Sequence, residues 1–345
     1  MAIKLSSNLA AGDEIQVRVH ATGLICAVDS MQMQHQSVSQ AGPGDHVHRK
    51  WCDWRMIGKT VLLFRAIRFE HTVFALPFAL AATFVASWGW PRAWTLLWIL
   101  VAMVGARTTA MAFNRIADLP YDRANPRTRD RALVTGSLRT RQLWVVLVSS
   151  AAVYFLAAAL LNRLTLLLSP FALAALLGYS YTKRFTVWTH WILGFCLGLA
   201  PVGAWIAVRG RIDLPPVILC LAVTAWTAGF DIIYACQDIE FDRTHKLFSI
   251  PARWGVRYAL VISTANHFVT CWLLALFGQF AQLGWLYYAG IVLLIPVIWW
   301  EHHVVKPNDL SRAEIASFFA NGIFSIVLFL FAAADVIYIS SRMQI

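Results

Sequence analysis

Apolar runs of about 20 residues recur along this chain. That length constrains the fold more than any other feature, because it is what an α-helix needs to cross the hydrocarbon core of a bilayer. Nine such spans are expected, at roughly residues 70–89, 94–114, 142–161, 164–182, 188–208, 215–236, 257–278, 283–300 and 315–339. Turn chemistry separates them: Gly89–Pro91 follows the first, Asn162-Arg163 the third and Arg209–Arg211 the fifth. Pro77, Pro170, Pro201 and Pro296 fall inside spans, which a helix bundle tolerates because neighbouring helices re-satisfy the freed carbonyls. The 345 residues are 59% hydrophobic and 14% charged, against about 45–50% and about 25% in soluble domains. Sixteen tryptophans suit a protein with two membrane–water interfaces to anchor. The expected fold is all-α: a polytopic bundle of nine transmembrane helices.

Residues 1–55 are polar, mixed and without periodicity, and hold no apolar stretch of signal-peptide type. They are expected to be a disordered N-terminal extension ahead of a membrane domain at 56–345. Met56, which opens "MIGKTVLLFRAIRFEH", is an alternative start, and mass spectrometry of the native N-terminus distinguishes the two. Six cysteines are scattered without a C-x-x-C pair. Four of them (Cys196, Cys220, Cys236, Cys271) lie in apolar runs, where a small buried hydrophobe is the expected role.

The net charge of +11 has a topological explanation. Basic residues crowd the segment before the first span (Lys50, Arg55, Lys59, Arg65, Arg68) and the 2–3, 4–5, 6–7 and 8–9 connections. The opposite connections carry only Arg92, Arg163, Arg209 and Arg211. The positive-inside rule then puts the N-terminus in the cytoplasm and the C-terminus outside, in agreement with an odd number of spans. Nucleic acid is not needed to account for the charge.

Two acidic clusters end even-numbered spans, so both emerge on the cytoplasmic side. The first is "FNRIADLPYDRANPRTRDR", with Asn114, Asp118 and Asp122 at i, i+4 and i+8. Each step of four residues drifts only about 40° around a helix, so the three share a face if the helix persists past Pro120. The second is "DIIYACQDIEFD", in which Asp238 and Asp242 are again i, i+4. Asp231 and Tyr234 lie on the same face, two turns and one turn deeper, while Glu240 points away. Two carboxylate faces can thus converge on a central cavity open to the cytoplasmic side. Clustered carboxylates in low dielectric resist ionisation. A hard divalent cation reverses that cost, and Mg²⁺ is usually completed by substrate phosphates. The arginines between spans 2 and 3 suit an anionic ligand as well. Together these features suggest a lipid diphosphate. Tyr179 and Lys183 end span 4 at i, i+4, and Lys183 is in range of a phosphate there. A single Asp at a helix end is ordinarily a solvated interfacial residue. Two aligned sets on one side, with Asp231 at membrane depth, fit a functional site better, since intramembrane acids are rare. Asp335, a lone acid near the outer side, reads as structural or interfacial, and Glu70 and His71 as interfacial.

The residues resemble the UbiA superfamily of intramembrane aromatic prenyltransferases. Its motifs N-x-x-x-D-x-x-x-D and D-x-x-x-D read here as Asn114-Arg-Ile-Ala-Asp118-Leu-Pro-Tyr-Asp122 and Asp238-Ile-Glu-Phe-Asp242, and its Y-x-x-x-K as Tyr179-Ser-Tyr-Thr-Lys183. The flanks "NPRTRDRALVTGSL" and "YACQDIEFDRTHKLFSIPARWG" match too, and "IRFEHTVFALPFAL" looks like the 4-hydroxybenzoate polyprenyltransferase-like branch of the ubiquinone and menaquinone pathways. The resemblance covers about residues 60–340. One departure is Arg115, where many relatives carry Asp.

The resemblance implies a Mg²⁺-dependent transfer from a polyprenyl diphosphate to an aromatic acid such as 4-hydroxybenzoate. Asn114, Asp118, Asp122, Asp238 and Asp242 would hold the metal on the diphosphate. Lys183, with Arg127 or Arg131, would neutralise the leaving group. Tyr179 belongs to the same substrate-binding set, Tyr234 and Asp231 would orient the acceptor or take its proton, and Arg68 is a candidate partner for an acceptor carboxylate. The isoprenoid tail would extend into lipid, and the enzyme would sit in a bacterial-type inner membrane with its active site cytoplasmic. Alternatives are another acceptor (1,4-dihydroxy-6-naphthoate or another naphthoate, haem, a glycerol phosphate lipid), a non-catalytic prenyl-lipid-binding protein, and a membrane transporter. Acids gathered at one face and the lack of a clear internal repeat weigh against transport.

Overall fold

A computed structural model describes residues 72–343. The expectations for residues 1–55, the start at Met56, Arg68, Glu70 and His71 lie outside the described residues. Within them the chain is helical, with one isolated bridge between Lys306 and Asp309. In order, the helices are α1 (Thr72–Ser87), α2 (Ala93–Ala117), α3 (Leu119–Ala124), α4 (Thr140–Leu161), α5 (Arg163–Thr182), α6 (Thr189–Arg209), α7 (Leu214–Ala235), α8 (Ile239–Thr244), α9 (Ile250–Phe280), α10 (Trp285–Val304) and α11 (Ala313–Met343). A 3₁₀ turn, Cys236–Asp238, joins α7 to α8. Seven helices are long and apolar enough to cross a membrane; α1 contributes a shorter apolar stretch, Ala75–Ser87. The chain is an integral membrane protein. Its outward faces carry exposed large hydrophobics such as Val145, Val148, Leu167, Phe268 and Val292, a surface that water would penalise and lipid accepts.

Bilayers do not drive helices together by the hydrophobic effect, so close packing has to come from small residues. Gly194 and Gly198, one turn apart on α6, meet α7 at backbone distance: a Cβ on either would come within 2.3 Å of Thr224 O or 2.7 Å of Cys220 O. α7 is clamped between α6 and α9, while α2 packs on α4, α10 on α11, and α1 bridges α6 and α11. The deepest core gathers Phe78, Trp226, Phe277, Tyr287 and Phe324. Cys196, Cys220 and Cys236 are free and buried, and Cys271 is free and partly buried, in line with the sequence reading.

Polar residues in the spans are tied off locally. Asn162 caps α5 by accepting from Thr165 N–H at 2.9 Å, and donates to the Ile206 carbonyl of α6 at 2.8 Å. Asp335 is fully buried. It accepts from Gly284 N–H at 2.5 Å and Tyr287 N–H at 3.4 Å, so it caps α10 from α11 and satisfies donors that the helix leaves orphaned. The helix expected at 257–278 starts earlier, at Ile250, because Ser249 accepts from Ala252 N–H and Pro251 stands in its first turn. Gly255, at φ +83°, then breaks its direction with a conformation that side chains rarely adopt.

Candidate active site

Both acidic motifs sit where a long helix stops and a short one resumes. α2 ends at Ala117, yet the ladder continues: Asp118 N–H donates to Asn114 O and Asp122 N–H to Asp118 O, each at 2.8 Å. The interruption falls at Pro120, which has no N–H to contribute. The expected common face survives at its first step, where Asn114 Nδ2 donates to Asp118 Oδ2 at 2.8 Å. In the second motif the 3₁₀ turn carries Asp238, and α8 carries Asp242. Glu240 is exposed, as its phase required.

The connection after α3 folds back across the second motif. Asn125 Oδ1 accepts from Arg127 N–H at 2.9 Å, a local turn that aims the Arg127 side chain. Its Nε and Nη2 donate to Asp238 Oδ1 and Oδ2 at 3.0 and 2.6 Å, and its Nη1 donates to Tyr234 Oη at 2.7 Å. This bidentate pair joins the loop of one motif to the carboxylate of the other. Arg131 Nη1 donates to both Asp122 oxygens, at 2.6 and 2.7 Å. Buried Arg115, the departure noted in the sequence, lies 3.8 Å from Asp122 and adds a cation to that motif. Lys183 Nζ lies 3.1 and 3.0 Å from the two oxygens of Asp242, and Ser249 Oγ donates to Oδ2 at 2.8 Å.

Asp118 is the exception. Its close donor is the neutral Asn114 amide at 2.8 Å, and Arg184 Nη2 lies 3.9 Å away. Arg184 is occupied with the Ala117 carbonyl at 2.7 Å and with the faces of Tyr121 and Tyr181. Burial, and then the charge of Asp122, hold the Asp118 pKa above its ordinary value. A hard cation fits this half-buried, charge-crowded oxygen donor. Among the described residues no three acidic, His or Cys side chains converge tightly enough to hold a metal by themselves.

A cavity of about 1150 Å³ opens from this charged end into the bundle. Asn114, Asp118, Asp238, Arg127, Arg131 and Lys183 line one end, with Tyr179, Asp231 and Tyr234 next to them. Asp122 and Asp242 are not among the lining residues; they stand behind the wall, holding Arg131 and Lys183. Beyond lie apolar side chains, including Ile99, Met103, Leu168, Phe171 and Phe195.

Two lining or supporting residues were missed in the sequence reading. Arg107 lines the cavity. It sits seven residues before Asn114, and the same periodicity that aligned the aspartates would have put it on their face. Buried His190 Nδ1 is 2.7 Å from Asp231 Oδ2, and its Nε2 accepts from Ile250 N–H at 3.2 Å. Accepting at Nε2 places the proton on Nδ1, so the ring donates to Asp231. No sequence spacing links positions 190 and 231.

The profile of the UbiA prenyltransferase family matches residues 75–323. This chain belongs to the UbiA prenyltransferase family. The UbiA-family chain is 29% identical over 258 residues to the 4-hydroxybenzoate octaprenyltransferase of Francisella tularensis subsp. novicida (strain U112), covering 75% of this chain and 90% of that one. It is 29% identical over 251 residues to the enzyme of the same name from Pseudomonas aeruginosa (strain UCBPP-PA14), covering 73% and 84%. The apo structure of a UbiA homolog from Aeropyrum pernix K1 aligns with a TM-score of 0.68 at 34% identity, covering 79% of this chain and 98% of that one. A UbiA homolog from Archaeoglobus fulgidus, solved bound to DMAPP and Mg²⁺, shares the fold with a TM-score of 0.54 at 20% identity, covering 77% and 98%. The UbiA-family protein is a prenyltransferase.

Proposed function

We propose that this prenyltransferase moves a polyprenyl group from polyprenyl diphosphate to an aromatic acid such as 4-hydroxybenzoate, with Mg²⁺ held between its two acidic motifs. The observation that carries the reading is the cavity itself: one end crowded with carboxylates and cations, the rest apolar. A diphosphate ester of a long hydrocarbon has that same polarity. The names of the bacterial relatives support 4-hydroxybenzoate as the acceptor.

Asn114, Asp118 and Asp238 offer oxygens at the cavity surface, and Asp122 and Asp242 stand behind them. Bound Mg²⁺ would supply positive charge to the diphosphate oxygens as the allylic C1–O bond breaks. Arg127, Arg131 and Lys183 are the chain's own cations for the leaving group. Each is paired with a carboxylate (Asp238, Asp122 and Asp242), and each lines the cavity, where it would also meet phosphate oxygens. Tyr179, Tyr234 and the cavity phenylalanines are the aromatic side chains available to shield the allylic cation. Asp231, oriented by His190, accepts the proton that the acceptor's ring carbon loses once the new C–C bond has formed. Arg107 on the cavity wall, and Arg68 near the chain's first expected span, are the arginines for the acceptor's carboxylate. The basic connections support nine spans with the N-terminus and charged end cytoplasmic, in a bacterial-type inner membrane.

The test is product formation by the purified full chain in detergent, given polyprenyl diphosphate, Mg²⁺ and a panel of 4-hydroxybenzoate and dihydroxynaphthoates. A C-prenylated 4-hydroxybenzoate with stoichiometric diphosphate release is expected. Prenylation of a naphthoate alone would replace the acceptor, and absence of diphosphate release with every acceptor would sink the reading.

A further inference from the structure

One turn of α7 beyond Asp231 the cavity carries a second, uncharged polar patch. Thr227 of α7 and Ser317 and Asn321 of α11 all line it. They are 0%, 4% and 1% exposed. Among the described residues, Thr227 Oγ1, Ser317 Oγ and Asn321 Nδ2 have no hydrogen-bond partner. Elsewhere in this bundle helical hydroxyls close on the preceding turn. Thr83, Thr109, Thr224, Thr264 and Thr270 each donate to the carbonyl four residues back, at 2.7–2.9 Å. Thr227 and Ser317 forgo that bond. A buried donor or acceptor left unmatched is costly, and a contact between helices alone would be better served by alanine or valine.

The patch is also held in place. Trp226 Nε1 donates to Asn321 Oδ1 at 2.9 Å. An indole N–H can only donate, so it fixes the amide with its oxygen towards Trp226 and its NH₂ turned away. The indole is itself immobilised: it stacks on Phe324, with ring centroids 3.6 Å apart at 11°, and lies 4.6 Å from the His267 ring. Ser317 and Asn321 are one turn apart on α11. Thr227 is one turn of α7, about 6 Å, from Asp231. That separation is close to the length of a benzene ring with a substituent at each end.

Two hydroxyls and one amide NH₂ ask for an oxygen. The isoprenoid chain has none to offer, and the diphosphate matches the charged end. We propose that Thr227, Ser317 and Asn321 form a neutral polar subsite that receives an oxygen substituent of the aromatic acceptor and so selects which acceptor is taken. This inference rests on the aromatic-acceptor reading above and assigns that acceptor a second point of attachment.

The experiment uses the full chain in detergent. Equilibrium binding of 4-hydroxybenzoate, benzoate, 4-hydroxybenzaldehyde and a dihydroxynaphthoate is measured without donor, for the wild type and for Thr227→Val, Ser317→Ala and Asn321→Leu. The KM for polyprenyl diphosphate is measured in parallel. Thr227→Val is nearly isosteric and keeps the test valid should Asn321→Leu fail to fold. Loss of one bond is expected to weaken binding of the preferred acceptor about tenfold, with the diphosphate KM unchanged. The analogue lacking the contacted oxygen should bind wild type and Thr227→Val alike, which tells carboxylate from hydroxyl. Unchanged acceptor affinity in all folded variants, as water alone on these groups would give, overturns the subsite. So does an equal shift of acceptor and donor, or a wild type that binds no aromatic acid. Binding that follows the pattern without any prenylated product overturns the functional reading and leaves the subsite standing. Turnover by a wild type whose variants bind normally does the reverse.

Discussion

In the second acidic motif both carboxylates are matched by cations. Asp242, 1% exposed, is held by Lys183 and Ser249, and Asp238 by the two-pronged Arg127. In the first motif Asp122 has Arg131, but Asp118 faces the cavity with a neutral amide as its close donor and a pKa held up by burial and by Asp122. The spacing of the two motifs is alike, so sequence alone would treat their aspartates as equivalent ligands. Their surroundings separate three carboxylates held in close ion pairs, which also brace the fold, from Asp118, whose close donor is neutral. In a low-dielectric site the two kinds of carboxylate should answer differently to the same mutation.

Asp242→Ala should do the most damage. It strands Lys183 and Ser249 around a buried gap, and is expected to cost about 3 kcal/mol of stability and at least about 100-fold in turnover. Thermal unfolding in detergent and a prenylation assay report the two losses. Arg127→Ala comes next, because it leaves Asp238 with only the weak 3.4 Å bond from Asn125. A loss of about 2 kcal/mol is expected. Arg127→Lys should recover little of it, since one ammonium cannot make a planar two-pronged contact; full recovery would mean that the pair is held by charge alone.

Asp118→Asn sharpens the contrast. A carboxyl whose folded pKa exceeds its unfolded value favours the fold least above both values, where its ionised form is the one that burial disfavours. Removing that charge should leave the ligand-free protein's melting temperature unchanged or higher at neutral pH, and the gain should vanish as pH falls below the carboxyl's range. Turnover should still drop about 100-fold. A variant that melts well below wild type would erase the distinction between the motifs. His190→Ala is the mildest: with the donor to Asp231 gone, kcat is expected to fall about tenfold while the KM for the diphosphate holds. A joint change in both would point to general loosening of α6.

Much of this was legible in the sequence. Among the described residues each expected apolar run overlaps a helix, and seven of those helices are long and apolar enough to cross a membrane, where the backbone has no other way to satisfy itself. The i, i+4 spacing correctly paired Asn114 with Asp118. Arg107 is equally readable, seven residues before Asn114 and on the same helical face. What sequence could not reveal were pairs between distant elements: Arg127 with Asp238, His190 with Asp231, and Trp226 with Asn321. Those depend on how helices pack, and packing here is set by glycines such as Gly194 and Gly198, whose partner helix no periodicity names. Asp335 read as a structural or interfacial acid; its task of capping α10 from α11 needed the helices assembled.

A site divided between two acidic motifs and completed by a diphosphate should bind its cation only when that diphosphate is present. Electron paramagnetic resonance of Mn²⁺ substituted for Mg²⁺ measures this directly, with and without a non-hydrolysable prenyl thiodiphosphate, in wild type, Asp118→Asn and Asp238→Asn. Tight Mn²⁺ binding to the wild type is expected only when the diphosphate analogue is present, with loss of that binding in both variants. Equally tight binding without the analogue, or binding that survives in either variant, would contradict it.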